Sequence, residues 1–341
     1  MPHMTIKTIS RSEYMTALAA TRMPWQERYY AFYSSVLGGI VTDPVLMQVP
    51  ADDHLVHRGD GVFETFKCVH RAAYNLDAHL ERLLRSAKEI AIEWCSGVAV
   101  QRLAQHSSAA TAGDSIRDSV LQTLAVANRD DCLCRVILAR GPGGFGVSPY
   151  ESPSPALYVA VYAAGTPFMQ AHPGGARAMR SSVPVKSGNW ATFKHCNYLP
   201  NTLIKREAVD GGCDFAFSFD PHGFLAEGAA ENVGIVTPQR ELLLPKTDYI
   251  LAGTTMARVM KLAEKLLADS TLTRVVFADI TEEDVRRASE LLVVGTTIDV
   301  ASACVYDGAP IGNGRPGPVG TRLNALLAQD VIENADLRTA Y

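Results

Sequence analysis

The chain has 341 residues, 47% apolar and 20% charged, with a net charge of -4. That length suits two domains, each able to bury its own core. With 32 basic against 36 acidic side chains and no run of about 18 apolar residues, neither a nucleic acid nor a membrane is expected as partner.

Residues 1–28 read as a lead-in with a helical stretch near Ser12 to Thr21. The polar start, Met1 to Arg11, lacks the apolar run of a signal peptide. The seven cysteines are odd in number and mostly scattered, so reduced thiols in a cytoplasmic protein are the expectation. Tyr30–Tyr33 and Val41–Val49 look like strands, broken by Gly38-Gly39 and Pro44. Val62–Val69 reads as a strand, with a turn at His70 to Ala72. Leu80, Leu83, Leu84, Ala87 and Ile90 give Leu76–Ala91 helical spacing. A second helix runs from near Ser115 to Ala127. Leu133–Ala139 and Ala156–Ala163 are strand-like, and the glycine-rich stretch Gly141–Gly146 between them reads as a mobile loop.

Gly165 to Gly175 lacks periodicity and is placed as a linker. The predicted division is 1–164 for a smaller first domain, 165–175 for the linker and 176–341 for a larger second domain. In that second part, strands are expected near Ala178–Val185, Phe215–Phe219, Asn232–Val236, Leu242–Leu244, Arg274–Ala278 and Glu290–Val294. Helices fit Pro200–Val209, Thr255–Ala268 and Thr281–Ala288, the last opened by the capping pair Thr281 and Asp284. The class is α/β in the mixed α+β sense, without the regular alternation of a doubly wound sheet.

Several positions invite chemistry. Lys194 stands just ahead of Asn197-Tyr198-Leu199-Pro200, at a junction into a helix; Lys186 is its competitor. Glu227 sits beside Gly228-Ala229-Ala230, where small side chains let a flat ring approach the backbone. Gly253-Thr254-Thr255 opens a helix, and hydroxyls with free N–H groups there suit a phosphate. Gly295-Thr296-Thr297 follows a strand and offers a second wall, while Arg82 offers a cation. Alone, each also fits a solvated lysine, a turn, a helix cap or a surface arginine. His54 and His57 have i, i+3 spacing but no third ligand, so no metal site is expected. A lysine, an acid, and phosphate donors in one chain are what pyridoxal phosphate requires.

The ordered landmarks Gly59-Asp60-Gly61-Val62-Phe63-Glu64, His79-x-x-Arg82-Leu83, Lys194-x-x-Asn197, Glu227-Gly228-x-x-x-Asn232, Gly253-x-Thr255 and Gly295-Thr296 resemble the class IV, fold-type IV pyridoxal-phosphate aminotransferases. The resemblance covers about Tyr30 to Leu326, and the stretches Tyr33-Ser34-Ser35 and Asn197–Asn201 point to the plant-type D-amino-acid aminotransferase-like branch. It implies a two-domain enzyme with its site at the domain interface. Lys194 would be the Schiff-base and proton-shuttling lysine, and Glu227 the acid on the pyridine nitrogen. Arg82, Thr254, Thr255 and Thr296 would bind the phosphate, and Tyr198 would face the cofactor. Tyr198 follows Lys194 by four residues, where the tyrosine of branched-chain enzymes follows by five. Arg58, Phe63, Arg135 and Thr297 would line the substrate pocket; Arg58 replaces a frequent aromatic residue and is expected to grip the substrate carboxylate. The expected activity is transfer of an amino group from an amino acid, D-amino acids favoured, to a 2-oxo acid by a cytoplasmic homodimer. Release of pyruvate from 4-amino-4-deoxychorismate and branched-chain L-amino-acid transamination are the alternatives.

Overall fold

The computed structural model describes residues 6–94, 112–186 and 188–341. Two sheets carry the fold. The first is built from β1 (Tyr29–Ser34), β2 (Gly39–Val41), β3 (Gly61–Val69), β4 (Ala72–Tyr74), β5 (Cys132–Ala139), β6 (Ala156–Tyr162) and β15 (Arg338–Ala340), in the order β15-β4-β3-β5-β6-β1-β2. The second contains β7 (Ala176–Arg180), β8 (Phe215–Phe217), β9 (Asn232–Val236), β10 (Glu241–Pro245), β11 (Arg274–Ala278), β12 (Glu290–Gly295) and β13 (Asp299–Tyr306), ordered β11-β10-β9-β12-β13-β7-β8, with β14 (Ala309–Pro310) paired to β13.

Strand β3 organises the first sheet because its two faces do different work. Val62, Glu64, Phe66 and Cys68 are buried on one face, against the helix Leu76–Glu89. Phe63 and Thr65 alternate onto the other, opposite Ile137 and Arg135 of β5. The β3–β4 turn uses His70 and Arg71, both with positive φ. That conformation matches hairpin twist, and both N–H groups are anchored, to the Asp131 carboxylate and the Asp130 carbonyl. The helix Leu76–Glu89 buries Leu76, Leu80, Leu83 and Ala87 and, on the same side, His79 and Arg82.

Several expectations need correction. Val41–Val49 is not a strand: Asp43 caps a 3-10 turn at Pro44–Leu46, and β2 ends at Val41. The strand expected at Ala178–Val185 runs earlier, over Ala176–Arg180. The linker region holds a short helix, Phe168–Ala171, with Phe168 stacked on His172 and packed on Phe215. The last strand, β15, returns to pair with β4, so the chain after residue 176 does not all belong to the second sheet. Strand β13 and the helix Pro318–Glu333 have no counterpart in the expectations. The loop Gly141–Gly146 is pinned: Ser152 Oγ donates to the Gly141 carbonyl, the Glu151 carboxylate accepts from the Gly146 N–H, and Arg58 holds the Phe145 carbonyl. Cys68, Cys132, Cys134, Cys196, Cys213 and Cys304 are free; Cys95 lies outside the described residues. No helix among the described residues is long and apolar enough to cross a membrane.

Candidate active site

A cavity of about 480 Å³ lies between the two sheets. One wall is Phe63 and Thr65 of β3 with Arg135 and Ile137 of β5; the other includes Asn232, Val294, Gly295, Thr296 and Thr297. Lys194 and Tyr198 form part of its lining, as do Arg82, Gly253, Thr254 and Thr255.

Lys194 is held at both ends of its own peptide unit. Its N–H donates to Ser86 Oγ at 3.1 Å, and its carbonyl accepts the Phe63 N–H at 3.0 Å. The Cys196 N–H bonds the Gly61 carbonyl, so His195 forms an isolated antiparallel bridge with Val62 of β3. The Nζ atom donates to the Tyr198 hydroxyl at 3.1 Å and lies 4.5 Å from the Phe63 ring centroid. Burial pulls its pKa down to about 8, with Arg82 and Lys186 acting in the same direction and Glu64 and Glu227 opposing. Burial also raises the Tyr198 hydroxyl, which therefore stays protonated at neutral pH.

Arg82 is oriented by Glu64, which is fully buried and grips it through two bonds of 2.6 and 2.8 Å. Its Nη1 donates to the Ala252 carbonyl at 3.0 Å, tying the helix Leu76–Glu89 to the segment ahead of the helix Thr254–Ala268. Glu64 also accepts from His79 Nδ1 at 2.7 Å. Burial pushes the Glu64 carboxyl up, but Arg82 and His79 outweigh it and hold the pKa at about 2. Burial lowers His79, leaving it a neutral imidazole with its proton on Nδ1. Its Nε2 then accepts from the Thr254 hydroxyl at 3.3 Å. The Thr254 hydroxyl proton is thereby committed to His79, which leaves the backbone N–H as its donor to the cavity.

The helix Thr254–Ala268 opens with Gly253 as N-cap and no side-chain cap, so its first-turn N–H groups are unpaired. Thr255 Oγ1 lies 3.4 Å from Thr296 Oγ1, across from the end of β12. Asn232 Nδ2 donates to the Leu251 carbonyl at 2.8 Å, and the Leu251 N–H donates to Glu227 at 3.0 Å. A Cβ on Gly253 would collide with Asn232 Oδ1, which explains the glycine. These orphan amides, two facing hydroxyls and the Arg82 guanidinium form a cup suited to a phosphate dianion.

Glu227 is buried and lines a smaller adjoining cavity of about 20 Å³, together with Lys186, Lys194 and Tyr198. Burial raises its carboxyl, opposed by Lys186, the Leu251 N–H and Lys194. Glu227 shares the smaller cavity with Lys194 and Tyr198, which also line the larger one with Arg82. An amine, an acid and a phosphate cup thus meet the demands of pyridoxal phosphate.

The substrate-side expectations divide. Arg135 lines the cavity, donates from Nε to Thr65 Oγ1 at 3.1 Å, and has its guanidinium carbon 5.4 Å from the Phe63 ring centroid. Phe63 and Thr297 line it too. Arg58 does not: it is exposed, and its guanidinium donates to the His57 and Phe145 carbonyls. The helix His54–Arg58 ends at Gly59 in the left-handed conformation, and Arg58 anchors the glycine-rich loop instead of facing the cavity. Glu64 and His79 stand within the sequence landmarks without an assigned role, yet Glu64 bonds Arg82 and His79 bonds Thr254. A charged residue in step with Val62 and Phe66 on an apolar strand face is the available signal, since buried charge requires a partner.

Residues 61–305 match the family described as amino-transferase class IV. The chain is 36% identical over 306 residues to the chloroplastic D-amino-acid transaminase of Arabidopsis thaliana, covering 89% of this chain and 77% of that one. It is 31% identical over 290 residues to a putative branched-chain-amino-acid aminotransferase of Methanocaldococcus jannaschii, covering 84% and 92%. Among solved structures, the branched-chain amino acid aminotransferase of Thermobaculum terrenum in its PLP form superposes with a TM-score of 0.74 at 18% identity, over 92% of this chain and 98% of that one.

Proposed function

The chain belongs to the class IV aminotransferase family, and from that premise we propose that it takes D-amino acids as donors and works as a cytoplasmic homodimer. Membership fixes the reaction type: transfer of an amino group between an amino acid and a 2-oxo acid with pyridoxal phosphate. The D-preference rests on the 36% identity to the Arabidopsis thaliana D-amino-acid transaminase, extending over 89% of the chain.

We assign Lys194 as the cofactor lysine, Glu227 as the acid on the ring nitrogen, and Arg82, Thr255, Thr296 and the Thr254 N–H as phosphate holders. The observation that carries this is the placement of Lys194 Nζ in the cavity, bonded to Tyr198 and lined on one side by the phosphate cup. When bound, the cofactor supplies an electron sink for the charge left when the substrate α-proton departs. Lys194 takes that proton and returns it, which requires a neutral amine. With a pKa of about 8 roughly a tenth of the groups are neutral at pH 7, against about one in 3,000 at an ordinary 10.5. Tyr198 accepts from the Lys194 amine through its hydroxyl oxygen and orients it. Arg135, with Thr65 behind it, offers a carboxylate its unspent guanidinium edge.

A second reading, branched-chain L-amino acids as donors, is favoured by the apolar wall of Leu55, Phe63, Ile137 and Val294 and by the Methanocaldococcus jannaschii relative. A panel of D- and L-amino acids with 2-oxo acid acceptors, followed by keto-acid release, separates the two. Turnover of L-leucine or L-valine but of no D-amino acid would overturn the D-preference. Pyruvate formed from aminodeoxychorismate without acceptor would instead mark a lyase. The homodimer is supported by the exposed apolar side chains Phe145, Val147 and Tyr150 after β5 and Trp190 and Leu199 flanking Lys194. A monomeric mass at micromolar concentration would refute it.

A further inference from the structure

Lys186 has no part in the scheme above, yet it is not a surface lysine. It is half-buried, ahead of the 3-10 turn Gly188–Ala191, and lines the small cavity shared by Glu227, Lys194 and Tyr198. Its Nζ lies 5.1 Å from the Tyr198 ring centroid. Lys194 Nζ lies 5.5 Å from that same centroid and 3.1 Å from the hydroxyl. Two amine groups therefore approach one phenol ring, and a buried acid closes the same small cavity. Glu231, the other acid there, already accepts the Ala230 N–H.

We propose that Lys186 is a positioning residue that acts through its two neighbours: its cation holds Glu227 anionic, and its like charge keeps the Lys194 amine neutral. The inference rests on Lys194 being the cofactor lysine. A lysine beside a second cation in a dry site is a general way to free an amine near neutral pH. The other charges facing Lys194 are Glu64 and Glu227, which favour its protonated form, and Arg82, which disfavours it, so the direct effect of Lys186 is read most cleanly where Glu227 is neutral. Burial works against the Lys186 cation, and the Glu227 carboxylate supports it. Each member of the pair thus sustains the other's charge, and Lys194 feels the result.

The test uses the full-length chain stripped of cofactor. Pyridoxal phosphate is added across about pH 6 to 10, the amine adds to the aldehyde with loss of water, and borohydride traps the product for peptide mapping. The wild type should label at Lys194, with a midpoint near 8. Lys186→Met should move that midpoint upward and slow labelling at pH 7 roughly three- to tenfold. Lys186→Arg, which keeps the charge, should leave the midpoint in place. The shift should persist when Lys186→Met is made in a Glu227→Gln background, which separates the direct effect on Lys194 from the effect through the acid. Lys186→Gln serves as the second neutral variant where Lys186→Met fails to fold. An unmoved midpoint in the neutral variants overturns the inference. Label on Lys186 in the wild type overturns the assignment of Lys194 beneath it.

Discussion

Replacing Glu64 by glutamine keeps the shape of the side chain and removes its charge. Glu64 is fully buried and bonds Arg82 twice and His79 once. Its carboxyl falls from an ordinary value of 4.5 to about 2, which corresponds to roughly 3 kcal/mol favouring the ionised form in the folded state. Breaking a buried pair from one side leaves Arg82 without its anion, a loss of about 3–5 kcal/mol. The expected outcome for Glu64→Gln is that destabilisation in urea unfolding of the cofactor-free protein. Because the folded pKa is depressed, this stability is present above about pH 4.5 and is lost as pH falls toward 2. The mutant should therefore show a flatter pH dependence of unfolding in that window. Saturating pyridoxal phosphate should shrink the difference, since its phosphate gives Arg82 a new anion. A loss under about 1 kcal/mol with an unchanged acid limb would refute the account, because a buried ion pair removed from one side does not come free.

Glu227→Gln should retain cofactor but slow transamination roughly 10²-fold or more, measured in single-turnover experiments; near-normal rates would sink its assignment. Arg135→Ala should weaken carboxylate substrates by about 1.5–3 kcal/mol, as for a lost hydrogen bond to a charged group, seen in KM and kcat/KM, whereas Arg58→Ala should leave both within about twofold and only loosen the loop at Phe145. The reverse pattern would restore Arg58 to the substrate pocket. Thr255→Val should weaken cofactor binding by about 1.5–3 kcal/mol as a lost bond to a charged group. Thr254→Val, whose hydroxyl serves His79, should cost about 1 kcal/mol in unfolding and little in cofactor affinity. Equal loss of affinity in both variants would show that Thr254 also donates through its hydroxyl.

The elements legible in the sequence are those whose local signals and final burial agree. Strand β3, the helix Leu76–Glu89 and the capped helix Glu282–Arg287 are of this kind, the last with its Thr281–Asp284 capping box formed. The helix Pro318–Glu333 is hidden by the glycines and prolines of Gly312–Gly320, although Pro318 at its first turn and Leu323, Leu327 and Val331 at four-residue spacing are helical signals. Strand β13 is built on Ala301, Ser302 and Ala303, small residues that fit between covered faces and carry weak strand preference. Lys194, Glu227 and Arg82, proposed to hold the cofactor, stand in short motifs. Arg58 has its guanidinium on the Phe145 carbonyl, a partner 87 residues away that no local pattern marks. Lys186 has no local mark because its partners come from residues 198 and 227.

The site must satisfy two opposed electrostatic requirements within one buried volume. On the proposed assignment, the Lys194 amine has to lose a proton near neutral pH, and Glu227 has to keep a charge although burial favours its neutral form. A single carboxylate serving both would defeat the purpose, since an anion that faces Lys194 closely raises its pKa. The chain separates the acids by partner. Glu64 accepts from Arg82 and His79, and Glu227 shares a small cavity with Lys186. Burial is the largest influence on the Lys194 amine, with Arg82 and Lys186 acting in its direction and Glu64 and Glu227 opposing. The Glu64 carboxylate and the Ala252 carbonyl hold the Arg82 guanidinium in place at the cavity wall.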